Sequence, residues 1–534
     1  MHLVLAAIHI EASPRAVPLG PAMLASALKQ AFGDRIQTRV LDLFLDQPAD
    51  LCAARILESN PDAVGLSMYV WNRTLALEIA AFLKSKKPKL IVFAGGAEAT
   101  ADIHGVLADP SVDFVLPGEG EELIVETMDR LLRGETPTAI AASIQARPVK
   151  DLSTLPSPFL DGTLPIENYA GALWELSRGC PFTCDFCFEA RGTAGTRRIP
   201  MERVEAELEL FKASGIREVF VLDPTFNYHK AGAKQVLRLI AEKAPDIHFF
   251  FEIRAEFLDQ EMAQLFAEVR CTLQIGLQSA HDAVLKNISR TFNAKDFEAK
   301  LLLLHQAGVP YGFDLIYGLP GDSLDGFCAS LDFAMSLVPN HLDVFRLSVL
   351  PGTRLSETAS GLGLQYQEQN PYAVIASPTF GIEDMETASR IALGCDVLYN
   401  HGKAVPWFGM ILDALEQSPS VVFERFATFM TDRSTEDLTR LQRDFITALS
   451  EERGDGLMGS IAADIITYFG YSAELMDAME PPAIRVSFEH DPETLLAQLQ
   501  DGSASLEELV FSLPSAPCEA LLCLDDGEVR IEIL

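Results

Sequence analysis

The segment SRGCPFTCDFCFEA (177–190) places three cysteines, Cys180, Cys184 and Cys187, within eight positions. The x3 and x2 spacings follow a strand-like run, ALWELS (172–177), and Gly179 and Pro181 let the chain loop so that the thiolates can converge on one metal centre. A structural zinc takes four ligands, usually as two paired clusters. No second C-x-x-C pair occurs, and the nearest downstream histidine is His229. A disulfide would leave one thiol over, and a chance cluster is the remaining alternative. An iron–sulfur cluster usually takes four cysteines. Three would leave one iron without a protein ligand, and an open metal position is a catalytic position.

Such a centre needs a scaffold. Downstream, strand-like runs occur at EVFVLDPTF (218–226), IHFFFEI (247–253), TLQIGLQ (272–278), PYGFDLIYG (310–318) and LDVFRLSVL (342–350). Helical stretches lie between them, including MERVEAELELFKASG (201–215). With ALWELS as the first strand, the pattern predicts six βα units. Sites in βα barrels lie at the carboxyl ends of the strands. Those ends carry Asp223, Thr225 and Asn227, then Glu252 and Arg254, then Gln278 and Ser279. Asp314 lies within the fifth strand, ahead of GLPG (318–321). Each is also readable alone as an ordinary strand-end polar residue or ion-pair partner; their order after the three cysteines favours a functional reading.

Cys180-x3-Cys184-x2-Cys187, with Phe186 before the last cysteine, resembles the signature of the radical S-adenosylmethionine (SAM) enzymes. The resemblance implies a [4Fe–4S] cluster on Cys180, Cys184 and Cys187, with SAM on the open iron, and a partial (β/α)6 barrel. It assigns SAM contacts to Phe186, Asp223, Asn227, Glu252, Arg254, Gln278, Ser279 and Asp314. Glu252 then suits ribose hydroxyls and Arg254 the SAM carboxylate. Where the family often carries a Gly-Gly-Glu type motif, this chain has LDPTFN (222–227), as in one subgroup. No catalytic acid, base or nucleophile is assigned.

The first 145 residues alternate as well. Strands are predicted at 2–8, 38–43, 63–70, 89–96 and 114–120, and helices at 18–32, 51–60, 73–87 and 121–134. This is the pattern of a doubly wound parallel sheet, whose ligands bind at the carboxyl ends of the strands. Those ends hold Ser67, Tyr69 and Trp71; Gly95, Gly96 and Glu98; and Gly118, Glu119 and Gly120. The glycines are either close-approach points for a bulky ligand or plain tight turns. G-x-G-x-x-G and G-x-x-x-x-G-K-[ST] are absent from this segment, so a nucleotide is not indicated. Before such a barrel, PLGPAMLASAL (18–28), VGLSMYVWN (64–72), FAGGAEAT (93–100) and PGEGEE (117–122) resemble the N-terminal domain of the cobalamin (B12)-binding radical SAM class. The resemblance is closest to an uncharacterised subgroup with an added C-terminal domain, through LDPTFN, FEIRAE, IGLQS, DLIYGLPG and NPYAVI (370–375). It assigns cobalamin to Ser67, Tyr69, Trp71, Gly95, Gly96, Glu98, Gly118, Glu119 and Gly120. The D-x-H-x-x-G motif of many cobalamin proteins is incomplete: Asp102 and His104 are present, but position 107 is leucine and the motif follows the fourth strand. His104 is therefore expected on a surface helix rather than on cobalt. The lower face is left to residues near Met68 to Asn72 or to water.

The implied organisation is 1–145 cobalamin-binding Rossmann-like domain, 146–170 linker, 171–355 partial barrel and 356–534 mainly helical domain. In the last, helical patches (410–417, 437–452) precede a hairpin at 519–534 turning at Asp525, Asp526 and Gly527. Tyr399, Asn400 and His401 are candidates there by polarity alone. Across the 534 residues, 48% are hydrophobic and 22% charged, as in globular chains. A formal charge of −34 repels phosphate backbones, although Arg191, Arg197 and Arg198 could form a local basic patch. Nucleic acid is disfavoured as a partner, and no apolar run is long enough to span a membrane. MHLVLAAIHI reads as a first strand rather than a signal peptide. Nine cysteines, an odd number and mostly isolated, fit a reducing cytoplasm. The expected activity is cobalamin-dependent methylation of an unactivated carbon or phosphorus of a small molecule or peptide, with an electron donor such as flavodoxin or ferredoxin. Alternatives are radical cyclisation or rearrangement, and a metal-binding regulator or scaffold without turnover. A transfer RNA-modifying enzyme ranks below these.

Overall fold

A computed structural model describes residues 1–189, 195–478, 483–500, 505–525 and 527–534, so Arg191 and Asp526 lie outside the described residues. The chain divides into two compact units. One comprises Met1–Gly276, Lys286–Pro310 and Ser348–Ser377; the other comprises Leu277–Leu285, Tyr311–Leu347 and Pro378–Leu534.

The N-terminal strands are β1 (His2–His9), β2 (Gln37–Phe44), β3 (Ala63–Ser67), β4 (Ile91–Gly95) and β5 (Phe114–Leu116). All pair in parallel, in the order β2-β1-β3-β4-β5. The central strands β1, β3 and β4 are buried on both faces, which is why they read as nearly unbroken apolar runs, whereas the edge strand β2 alternates. Val4, Ala6 and Ile8 pack into one core with Leu43, Ile79 and Val92. Leu3 and Leu5 pack into the other with Leu28, Phe93, Phe114 and Ile124. Strand order reverses between β1 and β3, and a ligand of such a sheet binds at that switch point.

β3 stops three residues before the predicted end. Asn72 is fully buried, and its side chain folds the chain back: Tyr69 N–H donates to Asn72 Oδ1 (2.8 Å), and Asn72 Nδ2 donates to the Ile8 carbonyl (3.0 Å). Residues 68–72 are thus a turn at the end of the strand. Asp102 caps the helix Ile103–Leu107 by accepting from Gly105 N–H, and His104 is exposed on that helix.

The second sheet has six strands: β6 (Gly171–Trp174), β9 (Glu218–Val221), β10 (His248–Ile253), β11 (Cys271–Gln278), β12 (Tyr311–Tyr317) and β13 (His341–Arg346). They lie in the order β13-β12-β11-β10-β9-β6. Between β6 and β9, β7 (Ser177–Arg178) and β8 (Arg197–Arg198) form a short antiparallel pair around the cysteine segment. On β10, Phe249 meets Trp174 (centroids 6.2 Å apart), and Phe251 meets Phe266 (5.7 Å) from the helix Gln260–Ala267. Alternate side chains on this strand therefore face the covering helices, and His248, Phe250 and Glu252 face the inner side.

In the C-terminal region, helices include Ile382–Cys395, Pro419–Met430, Leu438–Glu452 and Gly456–Asp477. The predicted hairpin is present as Ser515–Asp525 and Glu528–Ile533 and gains a third antiparallel strand, Ile484–His490. A π-helical turn, Asp396–His401, aims Asn400 at the edge strand β13, where its amide exchanges hydrogen bonds with the Leu342 backbone (3.0 and 2.9 Å). Tyr399 is buried and donates to the Pro339 carbonyl, while His401 is exposed. The first two residues thus support the fold. Among the described residues no helix is long and apolar enough to cross a membrane.

Candidate functional site

The cysteine segment is tied down at both ends. Asp223, buried after β9, accepts from the backbone N–H groups of Leu176 and Ser177 (2.9 Å each) and from Ser177 Oγ (2.6 Å). Gly179 has φ 86°, the left-handed turn into the loop. Cys187 N–H closes a turn on the Cys184 carbonyl (3.0 Å). Asp185 is buried, accepts from Ser289 Oγ (2.7 Å), and its backbone bonds to the Ile288 carbonyl and Leu355 N–H.

The three thiols feel one another's charge, and Thr225 hydrogen-bonds Cys180. Burial pushes the Cys180 thiol up and the Cys187 thiol to about 11, and Cys184 adds to both shifts. Bare thiols held this way need an added positive centre to ionise. Among the described residues, no three His, Cys, Asp or Glu side chains surround one point as ligands of a single ion would. A four-iron cube instead places each thiolate on its own iron.

Two arginines flank the loop. Arg254 lies 3.8 Å over the Phe182 ring and pairs with Glu256 (2.5 Å), while its Nε is buried without a partner. Arg290, which sequence reasoning missed, hydrogen-bonds Cys184 and the Gly276 carbonyl (2.8 Å), and its Nε is likewise unpartnered. It follows the short helix Asp282–Lys286 in a turn with no motif of its own. Its proximity to the cysteines is a product of the fold.

The other sequence-assigned SAM contacts fall as follows. Phe186 is half-buried in the loop. Asn227 is fully buried and bridges to the end of β10: Nδ2 donates to the Arg254 carbonyl (2.8 Å), and Arg254 N–H donates to Oδ1 (3.0 Å). Glu252 is exposed on the inner side of β10. In the second unit, Gln278 ends β11 at φ 65° with its Oε1 buried and unpartnered. Ser279 is buried beside Ser330 Oγ (3.3 Å), and Asp314 is half-buried on β12. Within the first unit, the donor set of three thiols and the unsatisfied Arg254 and Arg290 atoms fit a cluster with an anionic, polar ligand.

At the N-terminal sheet, Tyr69 and Trp71 stack with ring centroids 4.6 Å apart and planes 1° apart, and Trp71 is 45% exposed. The Tyr69 phenol is pushed up by burial and by the Glu189 carboxylate. Gly96 has φ 105°, and a Cβ there would sit 2.7 Å from the Met68 carbonyl, so only glycine fits. Ser67 Oγ accepts from Ile8 N–H (3.4 Å), and Gly95 ends β4. Gly118 has φ 70° and its N–H donates to Thr100 Oγ1 (2.9 Å); Gly120 starts the helix Gly120–Leu132.

Two assigned acids have their carboxylates engaged inside the protein. Glu98 accepts from Arg73 Nη1 (2.7 Å) and Tyr372 Oη (2.5 Å). Glu119 pairs with Arg178 (3.3 Å) and Arg197 (2.6 Å) and accepts from Val149 N–H (2.9 Å). The glycines and the flat aromatic pair at the switch point leave a surface suited to a large planar ligand.

The description "Radical SAM superfamily" matches residues 174–334, and "B12 binding domain" matches residues 6–127. Residues 174–334 are thus a radical SAM domain, and residues 6–127 a B12-binding domain. A B12-binding domain ahead of a radical SAM barrel is the domain order of an enzyme that uses an iron–sulfur cluster, SAM and cobalamin. Among curated relatives, it is 28% identical over 348 residues to the cobalamin-dependent radical SAM methyltransferase TokK of Streptomyces tokunonensis. That alignment covers 59% of this chain and 50% of TokK, so the chain spans about half the length of that relative. Among solved structures, the radical SAM methyltransferase TsrM from Kitasatospora setae, with cobalamin and a [4Fe–4S] cluster bound, aligns with a TM-score of 0.57 at 18% identity. It covers 69% of this chain and 78% of TsrM. The cobalamin-dependent SAM radical enzyme OxsB aligns with a TM-score of 0.58 at 14% identity, over 94% of this chain and 80% of OxsB. These likenesses establish the fold.

Proposed function

We propose that the protein is a cobalamin-dependent radical SAM methyltransferase that methylates an unactivated carbon or phosphorus of a small molecule or peptide. The observation that carries this reading is the tie, within one compact unit, between the flanks of the cysteine segment and the N-terminal sheet: Arg178 pairs with Glu119 and Glu121, and Arg197 with Glu119. The likeness to TokK and TsrM, both methyltransferases by name, supports methylation over rearrangement.

When bound, the cluster, SAM and cobalamin supply the electron, the hydrogen-abstracting radical and the methyl group. The chain's own residues do the rest. Cys180, Cys184 and Cys187 hold the cluster, and Arg254 and Arg290 place positive charge beside it. Asp223 and Asn227 set the strand ends that shape the SAM pocket, alongside Phe186, Glu252, Gln278, Ser279 and Asp314. Ser67, Tyr69, Trp71, Gly95, Gly96 and the Gly118–Gly120 turn receive cobalamin. Residues 1–145 form the cobalamin module, 146–170 the linker, 171–355 the barrel and 356–534 the added domain. A reducing cytoplasm, with a flavodoxin or ferredoxin as electron donor, suits such a centre.

Anaerobically reconstituted protein is expected to retain hydroxocobalamin at about one to one. With reductant, methyl-labelled SAM and a metabolite extract, it should release 5′-deoxyadenosine and label one product. A protein that retains no corrin sinks the reading. An unlabelled product of unchanged carbon count makes it a rearrangement enzyme instead.

A further inference from the structure

The inner face of the barrel sheet carries a cation from the N-terminal domain that no role above uses. Phe220 on β9 and Phe250 on β10 are register partners, and their rings stack with centroids 4.4 Å apart and planes 8° apart. They lie opposite Val219, Val221, Phe249 and Phe251, which are buried away from the inner side. The wall continues through Leu222, 45% exposed despite being apolar, and through Thr272, the register partner of Phe250 on β11.

Arg15, in the loop after β1, stands over this wall. Its Cζ is 4.4 Å from the Phe220 centroid and 5.6 Å from that of Phe250. The loop is fixed: Ala16 N–H bonds the Ser13 carbonyl (2.9 Å), and Val17 N–H bonds the Arg15 carbonyl (2.8 Å). It also presses on the edge strand β6, where a Cβ on Gly171 would lie 2.8 Å from the Pro14 carbonyl. Among the described residues, no carboxylate forms an ion pair with Arg15 and no acceptor holds a hydrogen bond from it. In a chain with 76 acidic residues, an exposed guanidinium on an inner wall with none of the described ones paired to it is a place prepared for an anion from outside. Stacking on phenyl rings holds the planar group face-on while leaving its N–H edge open, the geometry for a bidentate carboxylate.

We propose that Arg15, seated on Phe220 and Phe250, anchors the substrate, and that the substrate carries a carboxylate on an apolar, planar body. This rests on the functional reading above and narrows its substrate class. The carboxylate docks on the guanidinium edge and the apolar body lies along Phe220 and Leu222.

Calorimetric titration of the cluster- and cobalamin-loaded protein with 2-naphthoate and its neutral analogue 2-naphthamide tests it. The wild type should bind the acid roughly tenfold or more tightly than the amide. Arg15→Gln should erase that preference while changing amide binding less than about twofold, and Arg15→Lys should restore part of it, because a point charge replaces a fork. Equal binding of acid and amide by the wild type overturns the assignment, as does an Arg15→Gln protein that binds the acid unchanged. So does an Arg15→Gln protein that folds but loses hydroxocobalamin, since Arg15 would then be a corrin contact. A wild type that holds no corrin sinks the functional reading, whatever the probes do. One that holds corrin without preferring the acid sinks only this assignment.

Discussion

Arg290 shows how a single side chain can set the electrical environment of a metal site. It donates to the Gly276 carbonyl and to Cys184, with Arg254 as a like-charged neighbour. Burial and Arg254 both work against its charge, which Cys184 and Glu256 support. A cation beside a thiolate ligand favours the more negative, reduced state of a cluster. Arg290→Met should therefore lower the midpoint potential of the reconstituted cluster. A unit charge about 5 Å away at an effective dielectric constant of about 20 gives a shift on the order of 100 mV. An EPR-monitored redox titration without substrate reads this directly, and an unchanged potential would show that Arg290 only packs. At this scale the sequence was legible where chemistry is written in spacing, as in the three cysteines. It was silent on Arg290, whose neighbours come from a distant part of the chain.

Elements fail to match their sequence patterns mainly at their ends, and the reason lies in side chains that capture backbone groups. The run 218–226 is apolar enough to read as one strand, yet β9 ends at Val221. Beyond it, Asp223 and Asn227 take over backbone hydrogen bonding, one to the start of the cysteine segment and the other to the end of β10. Asn72 does the same after β3. Periodicity finds a strand's body but not where a polar side chain will outbid the ladder. Asn227→Ala removes two hydrogen bonds and leaves the Arg254 N–H and carbonyl without that partner in a buried place. It should lower stability by roughly 2–4 kcal/mol. A urea midpoint measured without SAM checks this. A variant of native midpoint that only weakens SAM binding would instead make Asn227 a ligand contact.

Across the molecule, two alternating α/β patterns announced two parallel sheets, because parallel strands need crossover helices between them. The third C-terminal strand, Ile484–His490, was less legible: its alternation spans only seven residues, and it pairs with Ser515–Asp525 across two helices, Pro492–Gln500 and Leu506–Ser512. What binds the N-terminal sheet to the cysteine segment was invisible in the sequence, because it consists of charges. Arg178 joins Glu175, Glu119 and Glu121, and Arg197 joins Glu119. Burial opposes the Glu119 charge, but Arg197, the Val149 N–H and Arg178 outweigh it and hold its carboxyl below the usual range. A carboxylate with a depressed folded pKa contributes stability above its unfolded value of about 4.3, and that contribution is lost as pH falls through the folded value. Glu175 and Asp223, both pushed up by burial, change in the opposite sense, and the relief of a net charge of −34 does too. The pH profile of the wild type alone is therefore a mixture, and the difference from Glu119→Gln isolates the clamp. At pH 7 that substitution should cost roughly 1.5–3 kcal/mol, the worth of charge-assisted hydrogen bonds in a partly buried site. The gap between the two urea midpoints should stay constant from pH 7 to about pH 5, then close as the pH drops below about 4. A gap that persists undiminished into acid would mean that Glu119 acts through its shape and hydrogen bonds, with its charge contributing nothing.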